Sequence, residues 1–269
     1  MSDFIDSHCH LIPGIDDGAG SFDESLEMAE ALVGAGFSKI WCTPHRITGA
    51  YDADPPLIRE LVKELQQRIT RAGIPLIVAP ASEYYFDEFL LSLLADPLPL
   101  YETMILVEFP PSTLAAVVPE ILYQVLRSGY TPLIAHPERS RIFFPTDEPS
   151  SASDFSLLAS LRALLTGKRR ERVEERDSEL PPLLLQLRSM GCRFQGNIGS
   201  FAGLYGEAAK ETALLFLRGG LYDRLGSDAH RSGQLSSLLT EGLGVVRDTV
   251  GPAGLKRLLQ EKKRGAAIP

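Results

Sequence analysis

The sequence predicts an α/β protein in which seven parallel strands, each followed by a helix, close or nearly close into a barrel. Two observations carry that expectation. Short apolar runs alternate with longer stretches of helical period, and the alternation recurs seven times. Strand followed by helix implies parallel pairing, and a chain of 269 residues suits a ring better than an open sheet.

The elements follow in order. The first strand is "FIDSH" from Phe4, and Ser21 with Glu24 forms a capping box ahead of Leu26, Ala29 and Val33, with Gly34 and Gly36 as a stop. After "SKIWCTPH" from Ser38, the segment from Pro55 places Ile58, Leu61, Val62, Leu65 and Ile69 on one helical face, ended by Gly73. "PLIVAPASE" from Pro75 and "MILVEF" from Met104 are the third and fourth strands. Ile121, Leu122, Val125 and Leu126 then mark a helix before Gly129, and "TPLIAH" from Thr131 is the fifth strand. The connection from Phe143 to Pro182 is longer than a barrel crossover needs. It holds "PTDEPSSASD", a leucine pattern from Leu157 to Leu165 and the charged run "KRRERVEERD", which reads as a solvated helix face. "CRFQGN" from Cys192 and "LYDRLGSDAH" from Leu221 complete the seven.

Composition bounds the function. With 44% hydrophobic and 23% charged residues the chain is globular, and no apolar run approaches the roughly 18 residues of a membrane span. A cytoplasmic protein without membrane insertion is expected. A net charge of -8, from 27 basic against 35 acidic residues, argues against nucleic-acid binding. Cys9, Cys42 and Cys192 lack metal-ligand spacing, lie in buried-strand segments and read as reduced core residues. A nucleophilic thiolate held in a single loop with arginine six positions after the cysteine is excluded too, because this chain has Ile15, Thr48 and Ile198 there.

The ends of the predicted strands carry one consistent chemistry. His8 and His10 close the first, His45 the second, Glu83 the third, Glu108 the fourth, His136 the fifth, and Asp228 with His230 the seventh; all five histidines of the chain are among them. In a barrel of parallel strands the C-terminal ends meet at one face, so these residues converge. The spacing of His8 and His10 points both to one side of an extended strand, with Cys9 opposite. Imidazoles and carboxylates on one concave surface suit a cluster of divalent cations. Either Asp16 or Asp17, in the first loop, could complete the ligand shell, although "PGIDDG" also reads as turn chemistry.

The stretches "DSHCHLIPGIDDGA", "TPH" at 43 to 45, Glu83, "VEFP" at 107 to 110, "AHPER" at 135 to 139, "NIGS" at 197 to 200 and "SDAH" at 227 to 230 resemble the polymerase and histidinol phosphatase (PHP) superfamily. Within it they are most similar to the bacterial tyrosine phosphatases of capsule and exopolysaccharide systems. The resemblance covers nearly the whole chain as one domain, 1–269, with an insertion at about 146–178. It implies the PHP fold, a distorted TIM-like barrel of seven β/α units. It also implies three divalent ions, usually manganese, with iron, zinc, cobalt or magnesium as alternatives. The activity implied is hydrolysis of phosphotyrosine by a metal-activated hydroxide, on a tyrosine kinase that regulates capsule or exopolysaccharide synthesis.

Carried over, His8, His10, Glu83 and Asp228 hold one metal, Glu83, Glu108 and His136 surround a second, and Asp17, His45 and His230 hold the third. Arg139 matches the arginine that contacts phosphate. Arg231 is a further candidate, since "RSGQLSS" replaces the usual continuation after "SDAH". His45 or His230 could assist the leaving phenolate, whose conjugate acid has a pKa near 10. The insertion begins just past Arg139 and is expected to be a lid or docking surface.

Three rival readings use the same residues. A histidinol phosphatase usually has another histidine where this chain reads "PGIDDGA". Amidohydrolases usually bridge their metals with a lysine where Glu108 stands. A non-catalytic metal-binding regulatory domain would be expected to have lost ligands, and none is missing.

Overall fold

The structure, a computed structural model, describes residues 3–144 and 180–260. The expected insertion at about 146–178 lies outside the described residues.

Among the described residues, seven strands run parallel in sequence order around a ring, two of them interrupted. The first ladder joins β1 (Phe4–Cys9), β2 (Phe37–Cys42) and β4 (Ile77–Pro80). The second joins β3 (His45–Arg46), β5 (Glu83–Tyr85), β6 (Met104–Glu108), β7 (Thr131–Ala135), β8 (Arg193–Asn197) and β9 (Arg224–Gly226). The segments expected as "SKIWCTPH" and "PLIVAPASE" are therefore each two short strands, broken at Thr43–Pro44 and Ala81–Ser82. Backbone bonds carry the ladder through both breaks, from Thr43 N to Cys9 O (2.9 Å), Ala81 N to Cys42 O (2.9 Å) and Glu83 N to Pro44 O (3.0 Å). Asp228 N to His8 O (2.7 Å) and His10 N to Ala229 O (3.0 Å) then tie the end of the last strand to the first.

The seventh strand is shorter than the sequence suggests. Asp223 N bonds to Phe194 O (2.8 Å), but regular pairing with β8 starts only at Arg224.

The helices pack outside as their periodicity requires. Helix Phe22–Gly34 is capped by the Ser21 side chain, which accepts from Glu24 N. The return arm of the expected box lands one residue early, Glu24 Oε2 accepting from Gly20 N (2.8 Å). Helix Pro55–Arg71 buries Ile58, Val62, Leu65 and Ile69, each worth about 1.5–3 kcal/mol of transfer from water, while Leu61 is only partly buried. Helix Val118–Arg127 buries Val118, Leu122 and Val125. All three cysteines are free and buried in this layer.

Alternation along the strands separates an outer core from a smaller inner one. Ile105, Val107 and Ile134 belong to the large cluster beneath the helices, whereas Leu106, Leu133, Ala135 and Ala81 form a second cluster with Trp41, Tyr101 and Met104. Glu108 shares the parity of Leu106, so the polar residues at the strand ends stand above this inner floor.

Candidate metal centre

At the C-terminal ends of the strands the structure brings together every histidine and four carboxylates. Three properties of the local backbone place them. His8, near the end of β1, and His10, just beyond it, lie two residues apart and turn to one side, and both are buried. His136 follows Ala135, which already points inward, so a continued strand would send its imidazole outward. Its φ of 29° turns the chain, and Nε2 comes within 3.4 Å of Glu83 Oε1. Asp228 likewise sits at a φ of 52°. Left-handed conformations at non-glycine residues cost about 1–3 kcal/mol each, so the surrounding fold enforces these two.

Glu83 is the centre of the constellation. Its Oε2 lies 3.1 Å from His8 Nε2, 3.3 Å from His10 Nε2 and 3.1 Å from His45 Nδ1. Asp228 Oδ1 is 3.2 Å from His8 Nε2 and 3.4 Å from His10 Nε2. Glu108 approaches His136 at 3.6 Å and His45 at 3.9 Å. At the outer edge Asp17 Oδ1 faces His45 Nε2 at 3.5 Å and His230 Nε2 at 3.4 Å.

These distances sort into overlapping groups with metal-binding potential: His8–His10–Asp228, His8–Glu83–His136, His45–Glu83–Glu108 and His10–Asp17–His45–His230. Of the two first-loop aspartates, Asp17 joins the outer group. Asp16 instead accepts from His10 Nδ1 (2.8 Å), Gly18 N (2.9 Å) and His45 N (3.1 Å), so it fixes the ring of a neighbouring donor.

The donor set fits divalent cations. Both Glu83 oxygens are buried and accept no hydrogen bond of good geometry, although imidazoles of His8, His10, His45 and His136 crowd around them. A buried carboxylate without donors is costly unless positive charge meets it. His8 Nε2 and His10 Nε2 converge to 3.1 Å, as nitrogens do when aimed at a common point. Their Nδ1–H groups are already used, His8 on Gln195 Oε1 (3.1 Å) and His10 on Asp16, which fixes the tautomers.

Protonation follows the same demand for positive charge. Burial alone would depress His8, but Glu83 and Asp228 hold it up at about 9, and His10 rises well above its usual value against the same burial through Asp16, Asp228 and Glu83. Burial likewise opposes ionisation of Glu83 and Asp228, yet the cationic His8 above all keeps both well below the carboxylate range. Glu108 is raised by burial and by repulsion from Glu83.

The two arginine candidates part company. Arg139 Nη1 donates to Asp228 Oδ2 at 2.6 Å, which puts its guanidinium against the cluster. Arg231 points away: its Nη1 contacts Gly18 O and lies 3.8 Å from Glu24 Oε2, and its side chain is 59% exposed.

Sequence reasoning missed several neighbours. Gln195 orients His8 and accepts from His136 N (3.3 Å). Asn197 donates to Asp228 Oδ2 (2.8 Å). Tyr205 stacks on Arg139, and Tyr51 stacks on His45 with ring centroids 5.7 Å apart. Gln195 and Asn197 had a legible signal, being polar residues two apart in a strand otherwise buried; the tyrosines had none. A cleft of about 680 Å³ lined by Phe4, Gly34, Leu243 and Arg247 lies at the opposite end of the strands and carries no imidazole.

Comparison with known proteins agrees with this geometry. The profile of the family described as capsular polysaccharide synthesis, CpsB/CapC, matches residues 4–147. Tyrosine-protein phosphatase YwqE of Bacillus subtilis is 32% identical over 250 residues, covering 92% of this chain and 85% of that protein. A crystal structure from the set of YwqE of Bacillus subtilis and CpsB of Streptococcus pneumoniae, described as unique metal-dependent tyrosine phosphatases, superposes with a TM-score of 0.74 at 31% identity. It covers 94% of this chain and 90% of the other. Histidinol phosphate phosphatase of Lactococcus lactis shares the fold, with a TM-score of 0.55, 12% identity and coverage of 93% and 94%.

Proposed function

The chain belongs to the CpsB/CapC family of capsular polysaccharide synthesis, and on that premise we propose that it is a metal-dependent protein tyrosine phosphatase. The observation that carries the reading is the buried Glu83, whose two unbonded oxygens stand among four imidazoles with Asp228 and Glu108 beside them.

We assign His8, His10, Glu83 and Asp228 to one ion, Glu83, Glu108 and His136 to a second, and Asp17, His45 and His230 to a third. Divalent ions held there would supply Lewis acidity, which lowers the pKa of water toward neutrality and offsets phosphate charge. The protein's own contribution is position. Arg139, held by Asp228 at the cluster's edge, offers its remaining N–H groups to a phosphate oxygen, where a fixed cation stabilises the charge that spreads over the transferring group. Arg231 is left out of this assignment, since its Nη1 contacts Gly18 O and its side chain is largely exposed. A phenolate with a conjugate acid near pKa 10 leaves without a strong general acid, which suits tyrosine phosphate.

Manganese is the ion we expect, and a tyrosine kinase of capsule or exopolysaccharide synthesis the substrate; the family description and the relatives' names support both the pathway and the chemistry. Such a substrate would place the protein in the cytoplasm. No helix among the described residues is long and apolar enough to cross a membrane. We further propose that the whole chain is one domain interrupted at about 146–178.

The test is phosphate release from a phosphotyrosyl peptide and from histidinol phosphate, by protein stripped with chelator and reloaded with manganese. Metal-dependent release that favours the peptide is expected. Preference for histidinol phosphate, or release that survives stripping, would overturn the reading.

A further inference from the structure

We propose that Tyr205 is a positioning residue that holds Arg139 in the orientation from which it meets the phosphate. The inference rests on the reading of Arg139 given above and adds a residue outside the motifs quoted from the sequence.

The geometry points to Tyr205 in three ways. Its ring lies under the Arg139 guanidinium, with Arg139 Cζ 4.0 Å from the ring centroid, the distance of a close cation–π stack. Its hydroxyl reaches the oxygen that Arg139 uses, at 3.5 Å from Asp228 Oδ2, and accepts from Asn197 Nδ2 at 3.3 Å. The loop that presents it is built for the purpose: the "GLYG" turn sets Leu204 and Tyr205 between Gly203 and Gly206, both left-handed at φ 81° and 89°. A Cβ on Gly199 would stand 3.1 Å from Leu204 Cδ2 and 3.4 Å from Tyr205 Cε2, so the neighbouring helix Ile198–Phe201 makes room for this loop.

The two oxygens of Asp228 divide the labour. Oδ1 faces His8 and His10, while Oδ2 takes Arg139, Asn197 and Tyr205. A single bond to Asp228 leaves the guanidinium free to swing about that contact. The aromatic face beneath it restricts this freedom, so that among the described residues the guanidinium is held at two points, the Asp228 carboxylate and the Tyr205 ring. Pre-set orientation of a planar, multiply donating cation is what a phosphate contact requires.

The test is a double-mutant cycle on the manganese-loaded protein. Inorganic-phosphate affinity is measured by calorimetry and kcat and KM on a phosphotyrosyl peptide, with bound metal determined for every variant. Tyr205→Phe keeps the ring and should stay within about twofold of wild type, whereas Tyr205→Leu should weaken phosphate binding about tenfold with metal content unchanged. In an Arg139→Ala background, or Arg139→Gln should the alanine variant not fold, Tyr205→Leu should cost almost nothing further. Wild-type phosphate affinity in Tyr205→Leu, or an undiminished loss in the arginine-free background, overturns the proposal while leaving the Arg139 assignment standing. Unchanged phosphate affinity in Arg139→Ala itself overturns that assignment and this inference with it.

Discussion

His8 and His10 lie two residues apart, and each turns its Nε2 into the site because its Nδ1–H is engaged, on Gln195 and on Asp16. Second partners of this kind are worth roughly ten- to a hundredfold in metal affinity, so Gln195→Leu should weaken manganese binding by that factor in a direct titration. The protonation of His8 gives a second expectation. Its pKa in the metal-free fold is raised from 6.5 to about 9. The stabilisation it contributes, on the order of 3 kcal/mol, is therefore fully present below pH 6.5 and is lost as pH rises through about 9. Stripped protein should melt at progressively lower temperature across that window, and metal binding at pH 7 should release protons, seen as a calorimetric heat that varies with the buffer's ionisation enthalpy. A melting temperature that climbs from pH 7 to 9 would contradict this account of the site. At this scale much was legible: the strand-end residues expected to converge do so, because period-two alternation and parallel direction together fix where they point. Asp16 and Asp17 were not separable by sequence, since both suit a turn and only the loop's path decides which one reaches His10. Arg231 could not be placed from sequence for a related reason: its neighbour His230 faces Asp17, while its own long side chain reaches back to Gly18.

Among the elements, the strands that bear ligands are short and tightly constrained by contact, while the helices are ordinary amphipathic packing. Gly226 in β9 shows the constraint: a Cβ there would stand 2.5 Å from His8 Cβ and 2.9 Å from His8 N. Gly226→Ala should displace β1 from β9, abolishing activity and lowering metal affinity together with stability. Asp54, which caps helix Pro55–Arg71 by accepting from Leu57 N at 2.9 Å, should behave oppositely. Asp54→Ala should cost about 1 kcal/mol in denaturant unfolding with kcat unchanged, because that helix packs on β4 and on helix Phe22–Gly34 and carries none of the proposed ligands. The helices were readable from their caps, prolines and terminal glycines. The breaks at Thr43–Pro44 and Ala81–Ser82 went unread although Pro44 and Pro80, which cannot donate to a ladder, lie beside them, because the apolar residues around them read as one continuous strand. The three-residue length of β9 escaped for the same reason.

Across the whole molecule, seven parallel strands bring residues from His8 to His230 to one face, and the ring is tied shut by bonds between the segments that carry His8, His10 and Asp228. Closure and metal binding therefore share residues, and stripping should lower the melting temperature of the entire fold rather than of one loop. Three divalent ions would also move the formal charge from -8 to about -2, concentrating positive charge where a phosphate must land. The ring order was visible from the strand–helix alternation, but its distortion came only with the structure, which shows two interrupted strands and, at two strand ends, the left-handed residues His136 and Asp228. The most direct single test counts metal and activity on the same samples, stripped protein titrated with manganese and assayed for phosphotyrosyl-peptide hydrolysis, beside Glu83→Gln. The account predicts three ions per chain, release that appears only as they bind, and a Glu83→Gln variant that loses both metal and at least about a hundredfold in rate. Full activity in the stripped protein, or a Glu83→Gln variant that hydrolyses the peptide like wild type, would contradict it.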